Sequence, residues 1–334
     1  MKSRLIPIFF SLMLFLCLSL AVGYTEYNDL FPALQEATEE QTDPSSPQLL
    51  IFEDVHYGTH NKQTFDIALP VDGRKETGIV VYLHGGGWRG GDKAEAYRSF
   101  DAFQPNTDYA TATVNYRLVK EQATDIYHIL DDITLALNQI KTFSASYDVN
   151  LTKVVLGGHS AGGHLSLLYC YKYKDISPIE PAGVFAASPV PDLSLDDFYT
   201  NNSKGDEKYM CAFMSRVFKR NFTPETRNEF KVLLDEYSPI NFVDETSVPT
   251  VIIHGENDRV APFVGSQLLC EKLTEYNVNH ELVVFKNTTH SLVGNKEDKK
   301  YANRLMLACA KSWFGVKETV AETTAETITE INEK

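Results

Sequence analysis

The residues best suited to chemistry lie in the stretch Leu156–Gly163, which reads LGGHSAGG. Its centre, from Gly158 to Gly162, is a Gly-x-Ser-x-Gly sequence that follows a short β-branched run and precedes a helical pattern. On such a strand-to-helix turn, two glycines let strand and helix approach, and the hydroxyl of Ser160 is lifted clear of the backbone. The pattern predicts a nucleophilic serine. The pentapeptide alone is also compatible with a glycine-rich turn that carries an idle serine.

A second glycine-rich segment follows the apolar run 78–83 and reads HGGGWRGGDK (84–93). Residues without side chains let backbone N–H groups turn toward a ligand oxygen, and preorganised N–H donors stabilise the oxyanion of a tetrahedral acyl intermediate. We expect the donors to be the N–H groups of Gly86, Gly87 and Ala161. A flexible loop or a phosphate cradle is the alternative. The segment lacks the Gly-Lys-Ser/Thr ending and the Gly-x-Gly-x-x-Gly pattern of phosphate loops.

A serine nucleophile needs a histidine to take its proton and an acid to fix the tautomer of that histidine. On sheets with this kind of serine turn, the chain order is Ser, then Asp or Glu, then His. Asp258 follows the apolar run 248–255, at the strand end where active-site groups gather in α/β sheets. Glu256 is the alternative acid. His290 follows the last predicted strand, 281–286, and is the expected base.

The other histidines have different expected roles. His254 ends a predicted strand and is expected to order the acid loop, and His84 is expected to brace the glycine loop by hydrogen bonds. His159 and His164 flank Ser160 but face the wrong way to act as the base. Trp88 and His159 are the candidates for the substrate pocket.

Together these motifs resemble the α/β-hydrolases of the esterase and lipase group that carry an HGGGW oxyanion loop. The resemblance is strongest to small carboxylesterases of the BD-FAE type, near the hormone-sensitive-lipase-like and kynurenine formamidase families. It covers about residues 50–315 and rests on HGGGWRGGDK, VNYRL, GHSAGGHL, HGENDRVAP and THS. It implies a hydrolase site without a cofactor or metal, formed by Ser160, Asp258 and His290 as a catalytic triad and by Gly86, Gly87 and Ala161 as an oxyanion hole.

Three departures from the family pattern weaken any assignment of a substrate. The loop after Leu118 lacks the proline that such enzymes often carry, and the run 187–192 replaces a usual Ser-Gly-x-x-Asp-Leu sequence. Formamidases usually have a tyrosine where Gly87 stands. The chemistry is left intact, and the choice of ester stays open.

The elements that must position these residues alternate along the chain. Apolar, β-branched stretches occur at 49–56, 63–69, 79–83, 111–115, 153–157, 182–187, 250–254 and 281–286, with helical patterns between them. This alternation predicts an α/β fold: a mostly parallel, eight-stranded sheet with helices on both faces. We expect the first two strands to form an antiparallel edge. The longest helix is predicted from Asp125 to Ser144, and Asp92 with Glu95 is a capping pair.

The chain divides into five parts: a signal peptide at 1–23, an acidic linker at 24–47, an α/β-hydrolase domain at 48–316 with a helical cap at about 193–242, and a disordered acidic tail at 317–334. The signal has a basic start, an apolar run and small residues at its end. It predicts a secreted protein, with an uncleaved membrane anchor as the alternative. The alternative to a cap is a surface helix pair that packs its own aromatic side chains.

Translocation permits disulfides, and the four cysteines outside the signal are Cys170, Cys211, Cys270 and Cys309. Cys270 and Cys309 lie on the last two predicted helices and are the expected pair; four buried thiols are the alternative. No Cys or His spacing resembles a zinc site.

The net charge of −14 argues against nucleic acids and anionic membranes as partners. The expected partner is a small-molecule or polysaccharide-linked ester, with no stable membrane partner; the sequence does not indicate an oligomeric state. The leading hypothesis is a secreted serine carboxylesterase. Alternatives are an aryl-formamidase or a peptidase with the same residues, and a non-catalytic binding module on the same scaffold.

Overall fold

The structure is a computed structural model that describes residues 3–6, 48–72, 76–120, 124–201, 206–293 and 296–316. The linker and the tail predicted from the sequence lie outside the described residues, as does most of the predicted signal peptide.

The strands of the described residues form one sheet. In chain order they are β1 (Ser3–Ile6), β2 (Gln48–His56), β3 (Thr64–Val71), β4 (Glu76–Leu83), β5 (Ala110–Val114), β6 (Asn150–His159), β7 (Glu180–Ala187), β8 (Thr250–Gly255) and β9 (His280–Phe285). Their order across the sheet is β1-β2-β3-β5-β4-β6-β7-β8-β9. All neighbours from β5 to β9 are parallel, and β1, β2, β3 and β5 pair antiparallel in turn.

All eight predicted strands form, and the predicted mostly parallel sheet with an antiparallel edge is confirmed. The sequence does not predict β1, because its residues fall within the predicted signal peptide. In the structure β1 pairs with β2 at the outer edge of the sheet.

The helices follow the strands. They are α1 (Ile126–Ala145), α2 (Ala161–Lys172), α3 (Asp196–Thr200), α4 (Glu207–Phe218), α5 (Lys231–Glu236), α6 (Phe263–Glu275) and α7 (Lys296–Phe314), with 3-10 turns at Lys93–Arg98, Asp101–Phe103, Lys174–Ile176, Arg227–Phe230 and Pro239–Phe242. Asp125 caps α1 by accepting a hydrogen bond from the backbone N–H of His128. The expected capping pair of Asp92 and Glu95 forms, but it starts the 3-10 turn Lys93–Arg98 rather than an α-helix.

Both faces of the sheet are covered, as the alternation of strands and helices predicts. Successive residues of a strand point to opposite faces, so Ile79, Val81 and Leu83 of β4 pack with α1, α2 and α6, whereas Val80 and Tyr82 pack with α7 and the 3-10 turns. These β4 side chains are all at most 2% exposed. The central strands therefore give the site a rigid support.

The stretch 193–242, predicted as a helical cap, contains α3, α4 and α5. Many of its aromatic and methionine side chains join the core that covers the α1 and α2 face of the sheet. The guanidinium of Arg227 lies 4.7 Å from the ring centroid of Tyr199 and forms ion pairs with Asp196 and Glu207, both 2.6 Å long. Arg227 therefore ties α3 to α4.

The predicted disulfide between Cys270 and Cys309 is wrong, because all four described cysteines are free thiols. Cys270 on α6 packs against the core on one face of the sheet, and Cys309 on α7 packs against the core on the other face. A disulfide requires Cα atoms within about 7 Å, and the sheet separates these two helices.

Among the residues that the structure describes, none of the helices combines the length and the apolar composition that crossing a bilayer requires.

Candidate active site

Ser160 lies between the end of β6 and the start of α2, with backbone angles φ 57° and ψ −119°. This conformation is strained for a residue with a side chain, and such strain costs on the order of 1–3 kcal/mol. The backbone is held in it by two hydrogen bonds: the N–H of Ser160 donates to Ala187 O at 2.8 Å, and its carbonyl accepts from the N–H of His164 at 2.9 Å. The serine side chain is half-buried at the carboxyl edge of the sheet.

The glycines on either side of Ser160 allow the turn to pack against the end of β4. A Cβ atom at Gly158 would lie 2.2 Å from the carbonyl oxygen of Leu83, and one at Gly162 would lie 1.9 Å from the same oxygen. Both distances are far inside van der Waals contact. The two glycines of the Gly-x-Ser-x-Gly pattern are therefore required by the close approach of β4 and not only by the turn.

The glycine loop after β4 runs alongside this serine turn. A Cβ atom at Gly85 would lie 3.5 Å from Cβ of Ser160. Gly86 and Gly87 have left-handed φ angles of 103° and 59°, and the carbonyl of Gly86 accepts hydrogen bonds from Arg89 and Gly90, both 3.1 Å long. Within the described part of the chain, no hydrogen bond uses the backbone N–H of Gly86, Gly87 or Ala161. These donors are therefore available beside Ser160.

Trp88 and His164 hold the glycine loop against the core. The indole N–H of Trp88 donates to Nδ1 of His164 at 3.1 Å, and Nε2–H of His164 donates to the carbonyl of Tyr237 at 2.7 Å. Burial lowers the pKa of His164 to about 4, so the ring is neutral. Trp88 is only 2% exposed. Trp88 was expected in the substrate pocket; the structure instead places its ring in the core beneath the loop.

The ring of His84 is buried at the start of the glycine loop. It stacks on Tyr116 with centroids 4.1 Å apart, and the Tyr116 hydroxyl donates to the carbonyl of His84 at 2.6 Å. Nδ1–H of His84 donates to the carbonyl of Gly85 at 2.8 Å. These contacts are the bracing that the sequence suggests for His84.

Lys93 anchors the far end of the loop, a role that the sequence reasoning missed. Its buried ammonium pairs with Asp66 of β3 and lies 3.0 Å from Asp54, and its backbone N–H donates to Oδ1 of Asn115 at 2.7 Å. Burial alone would lower the pKa of Lys93, but the hydrogen bonds to these carboxylates raise it. A lysine that closes a glycine-rich segment was the available signal.

Asp258 and His290 meet at the carboxyl ends of β8 and β9. Nδ1–H of His290 donates to Oδ2 of Asp258 at 2.7 Å, while Oδ1 accepts the backbone N–H groups of Val260 and Ala261. Asp258 is buried, which would raise its pKa, but hydrogen bonds from His254 and His290 hold the pKa well below its usual range. The acid is therefore ionised and fully hydrogen-bonded.

Glu256, the alternative acid, is exposed and accepts the backbone N–H of Asn287 at 3.1 Å. His254 is buried beside Asp258, with Nε2 at 2.9 Å from the carbonyl of Ala261 and 3.2 Å from Oδ2 of Asp258. Nδ1 of His254 is 2.8 Å from the hydroxyl of Ser266. His254 thus orders the acid loop, as expected from its position.

His159, the other residue expected in the substrate pocket, contacts His290. Nε2–H of His159 donates to the backbone carbonyl of His290 at 2.7 Å, and the two ring centroids are 4.8 Å apart. Since His159 directly precedes Ser160, this contact brings the loop of His290 close to Ser160. Within the described residues, Nε2 of His290 and Oγ of Ser160 have no hydrogen-bond partner and do not bond to each other. In sites without substrate such bonds are often long.

The insertion 193–242 places an aromatic ring over the oxyanion loop. A Cβ atom at Gly87 would lie 2.8 Å from Cζ of Phe213 on α4, and the rings of Phe213 and Trp88 are 6.4 Å apart. The sequence does not distinguish Phe213 from the other aromatic residues of the insertion. The usual tyrosine of formamidases would not fit at Gly87 unless Phe213 moved.

A cleft of about 320 Å³ borders the loop that carries Asp258. Its walls come from the start of the insertion, the acid loop and the start of α6: Asp197, Asn201, Glu256, Asn257, Asp258, Arg259, Pro262, Phe263 and Val264. Ser160 and His290 do not line it. The cleft therefore borders Asp258 without containing Ser160. In the described ranges, no group of three His, Cys, Asp or Glu residues is arranged to hold a metal ion.

The chain matches two known protein families. The family described as BD-FAE matches residues 65–273, and the dienelactone hydrolase family matches residues 234–322. Esterase LipU of Mycobacterium tuberculosis is 25% identical over 224 residues, which cover 66% of this chain and 72% of that protein. The AB hydrolase superfamily protein YisY of Bacillus subtilis is 25% identical over 179 residues, which cover 46% of this chain and 65% of that protein.

Solved structures share the fold. A truncated carbohydrate esterase from gut microbiota has a TM-score of 0.64 at 18% identity and covers 78% of this chain and 96% of its own. Esterase B from Lactobacillus rhamnosis has a TM-score of 0.60 at 18% identity and covers 86% of this chain and 93% of its own. The BD-FAE match extends over more than half of the sequence, and the chain therefore belongs to the BD-FAE family of α/β-hydrolases.

Proposed function

We propose that this protein is a serine hydrolase of carboxylic esters, with Ser160 as nucleophile, His290 as general base and Asp258 as the acid that orients His290. The observation that carries the proposal is the 2.7 Å hydrogen bond from Nδ1 of His290 to Asp258. This bond fixes the ring tautomer with the proton on Nδ1, in which the lone pair of Nε2 faces away from Asp258 and accepts the proton of Ser160. The relatives named as esterases support an ester as the bond that is cleaved.

In the acylation step, Oγ of Ser160 attacks the ester carbonyl carbon while its proton moves to Nε2 of His290. The electron pair of the carbonyl π bond moves to the oxygen, which becomes an oxyanion. When this pair returns, the bond from carbon to the alcohol oxygen breaks. The departing alcohol takes the proton from Nε2 of His290 and leaves an acyl group on Ser160.

In the deacylation step, water replaces the alcohol. His290 removes a proton from the water as its oxygen attacks the acyl carbon, and Oγ of Ser160 leaves with that proton when the second tetrahedral intermediate collapses. The products are a carboxylic acid and the free enzyme. No redox partner enters the balance.

The N–H groups of Gly86, Gly87 and Ala161 are the proposed oxyanion hole. Their left-handed or helix-initiating backbone leaves these donors unused beside Ser160. Each donor of this kind contributes about 3–4 kcal/mol to the stability of the transition state. The anchoring of the loop by Lys93 and by Trp88 keeps the donors in place before substrate arrives.

The insertion 193–242 is proposed as a cap, with Phe213 as the side chain that covers the oxyanion loop and limits the acyl group. The substrates proposed are small-molecule or polysaccharide-linked esters. The fold that the chain shares with a carbohydrate esterase supports the second class.

The test is hydrolysis of p-nitrophenyl esters from acetate to laurate by the wild-type protein and by Ser160→Ala. We expect activity in the wild type and its loss by a factor of about 10⁴ or more in the variant, the scale seen when a triad serine is removed. An active Ser160→Ala variant or an inactive, folded wild type would overturn the proposal. N-formylkynurenine measured beside the ladder would reveal a formamidase.

We propose further that residues 1–23 direct export and are removed. The test is the mass of the protein isolated from its source. A mass that corresponds to a chain beginning after residue 23 supports export and removal. A mass that corresponds to a chain beginning at Met1 or at residue 2 contradicts the proposal.

A further inference from the structure

The loop that carries His290 is held by few bonds of its own. Within the described residues, no backbone hydrogen bond uses the N–H or the carbonyl of His290 in a turn, a strand or a helix. Two side chains hold the residue instead. Asp258 accepts Nδ1–H of its ring, and His159 donates Nε2–H to its carbonyl, each at 2.7 Å. The position of the base therefore depends on these two contacts.

His159 starts from a rigid place. It is the last residue of β6, which lies between β4 and β7 in the middle of the sheet, and its backbone is paired in register with Ala187. The next residue is Ser160. The strand fixes His159, and the backbone hydrogen bonds to Ala187 and His164 fix Ser160. The hydrogen bond from His159 therefore sets the distance between His290 and Ser160.

The same ring also lies beside the glycine loop. A Cβ atom at Gly85 would lie 3.4 Å from Nδ1 of His159 and 3.0 Å from its carbonyl oxygen. His159 thus has the loop of the oxyanion donors on one side and the loop of the base on the other, with the rings of His159 and His290 only 4.8 Å apart. The side chain of His159 therefore lies where the segments of Ser160, His290 and the glycine loop meet.

We propose that His159 is a positioning residue, which holds His290 at the right distance from Ser160 by donating Nε2–H to the His290 carbonyl. The proposal rests on the catalytic roles proposed above. Burial and the neighbouring His290 lower the pKa of His159, so its ring is neutral at neutral pH, with the single proton on the nitrogen that faces the carbonyl.

The chemistry makes two variants informative. Glutamine places an amide N–H close to the position of Nε2 and keeps the hydrogen bond, whereas leucine keeps the volume and has no donor. Displacement of a catalytic group by about 1 Å costs roughly 100-fold in rate. We therefore expect His159→Leu to lower kcat on p-nitrophenyl butyrate by about 10- to 100-fold, with KM changed less than about threefold, and His159→Gln to recover most of the loss.

The departing alcohol gives a second readout. p-Nitrophenolate leaves readily without a proton, whereas an alkoxide must be protonated by His290 as it leaves. A displaced base should therefore lower kcat/KM of His159→Leu more for ethyl butyrate than for p-nitrophenyl butyrate. A loss of packing alone would lower both by the same factor.

His280→Leu is the matched control. Nδ1–H of His280 also donates to a backbone carbonyl, that of Val278 at 2.8 Å, but at the other end of β9. This variant should keep the wild-type kcat. Equal losses in His159→Leu and His159→Gln, or an unchanged kcat in His159→Leu, would overturn the proposal.

Proton NMR separates this proposal from the catalytic one, because it needs no turnover. The downfield resonance of the Nδ1 proton of His290, assigned by its loss in His290→Gln, should persist in His159→Gln and exchange faster with water in His159→Leu. A resonance that is unchanged in His159→Leu would contradict the positioning role, whether or not the enzyme hydrolyses esters. An active Ser160→Ala variant would contradict only the catalytic roles.

Discussion

Nδ1 of His290 lies 2.7 Å from Oδ2 of Asp258, although the two residues are 32 positions apart in the chain. The contact forms because β8 and β9 are parallel neighbours, so the loops that follow them leave the same edge of the sheet. The carboxylate of Asp258 also accepts hydrogen bonds from two backbone N–H groups and lies beside His254. These contacts hold Asp258 in place independently of the ring of His290.

Replacing Asp258 by Asn should lower kcat by about 10⁴-fold, because the amide favours the wrong tautomer of His290. Hydrolysis of p-nitrophenyl butyrate at neutral pH measures the effect. Glu256→Gln is the control, since this exposed side chain keeps an oxygen for the N–H of Asn287 and should retain kcat. If Glu256→Gln lost as much activity as Asp258→Asn, the acid would have been assigned to the wrong residue.

Gly162→Ala should disrupt the serine turn, because the new Cβ atom would lie 1.9 Å from the carbonyl oxygen of Leu83. We expect the free energy of unfolding to fall by about 3 kcal/mol or more, measured by urea denaturation. Gly265→Ala in α6 is the comparison. Its Cβ atom would have its nearest neighbour at 3.4 Å, and alanine in a helix gains about 0.5–1 kcal/mol over glycine. Similar losses in both variants would contradict this account.

The buried ring of His164 should make stability depend on pH. Its pKa in the folded protein is about 4, lowered from 6.5 by burial. Between these values the unfolded chain binds a proton that the folded protein does not, so stability falls as the pH falls through this window. Through His164 alone, the free energy of unfolding should fall by about 3 kcal/mol between pH 7 and pH 4.

Urea denaturation at pH 7, 5.5 and 4.5 tests this dependence in the wild type and in His164→Gln. Fluorescence follows it well, because Trp88 donates to His164. We expect the stability of the variant to change less with pH than that of the wild type. Parallel curves for the two proteins would mean that His164 titrates normally.

Phe213→Ala should open the space above Gly87. If Phe213 limits the acyl group, the variant should shift the preferred p-nitrophenyl ester toward longer chains, seen as an increase in the ratio of kcat/KM for octanoate to that for acetate. Tyr209→Ala on the same helix is the control, because that side chain is 43% exposed. A preference that moves equally in both variants would point to the stability of α4 instead.

The four described cysteines should all react as thiols in the unfolded chain without reduction. Alkylation in denaturant followed by intact mass should give the same number of adducts with and without a reducing agent. Fewer adducts without the reducing agent would reveal a disulfide that the structure does not contain.

Much of the site could be predicted because its residues follow strands. Asp258 and His290 each lie in the loop that follows an apolar run, and Ser160 lies in a glycine pattern whose spacing is set by the approach of strand and helix. These are local signals, and the parallel order of the strands brings them together. The predicted strands begin and end within a few residues of those in the structure, because the apolar runs that define them are also local signals.

The parts that could not be predicted depend on how distant elements pack. Cys270 and Cys309 are on consecutive helices, but nothing local says that α6 and α7 cover opposite faces of the sheet. Phe213 meets Gly87 only because the insertion folds back over the glycine loop. Trp88 is an aromatic residue of the kind that often lines pockets. It is buried because its indole N–H finds an acceptor in His164, which lies on another element.

The outer edge of the sheet has a consequence for aggregation. If export removes β1, the nine residues of β2 become an unpaired edge strand, and such edges recruit other chains. β2 carries two features that oppose this pairing. Its register shifts between Phe52 and Val55, and the residues in the shift, Glu53 and Asp54, are exposed acids. A bulge and charged side chains at an edge strand are the usual protection against intermolecular sheets. In a mature protein without β1, these features of β2 would oppose pairing with another chain.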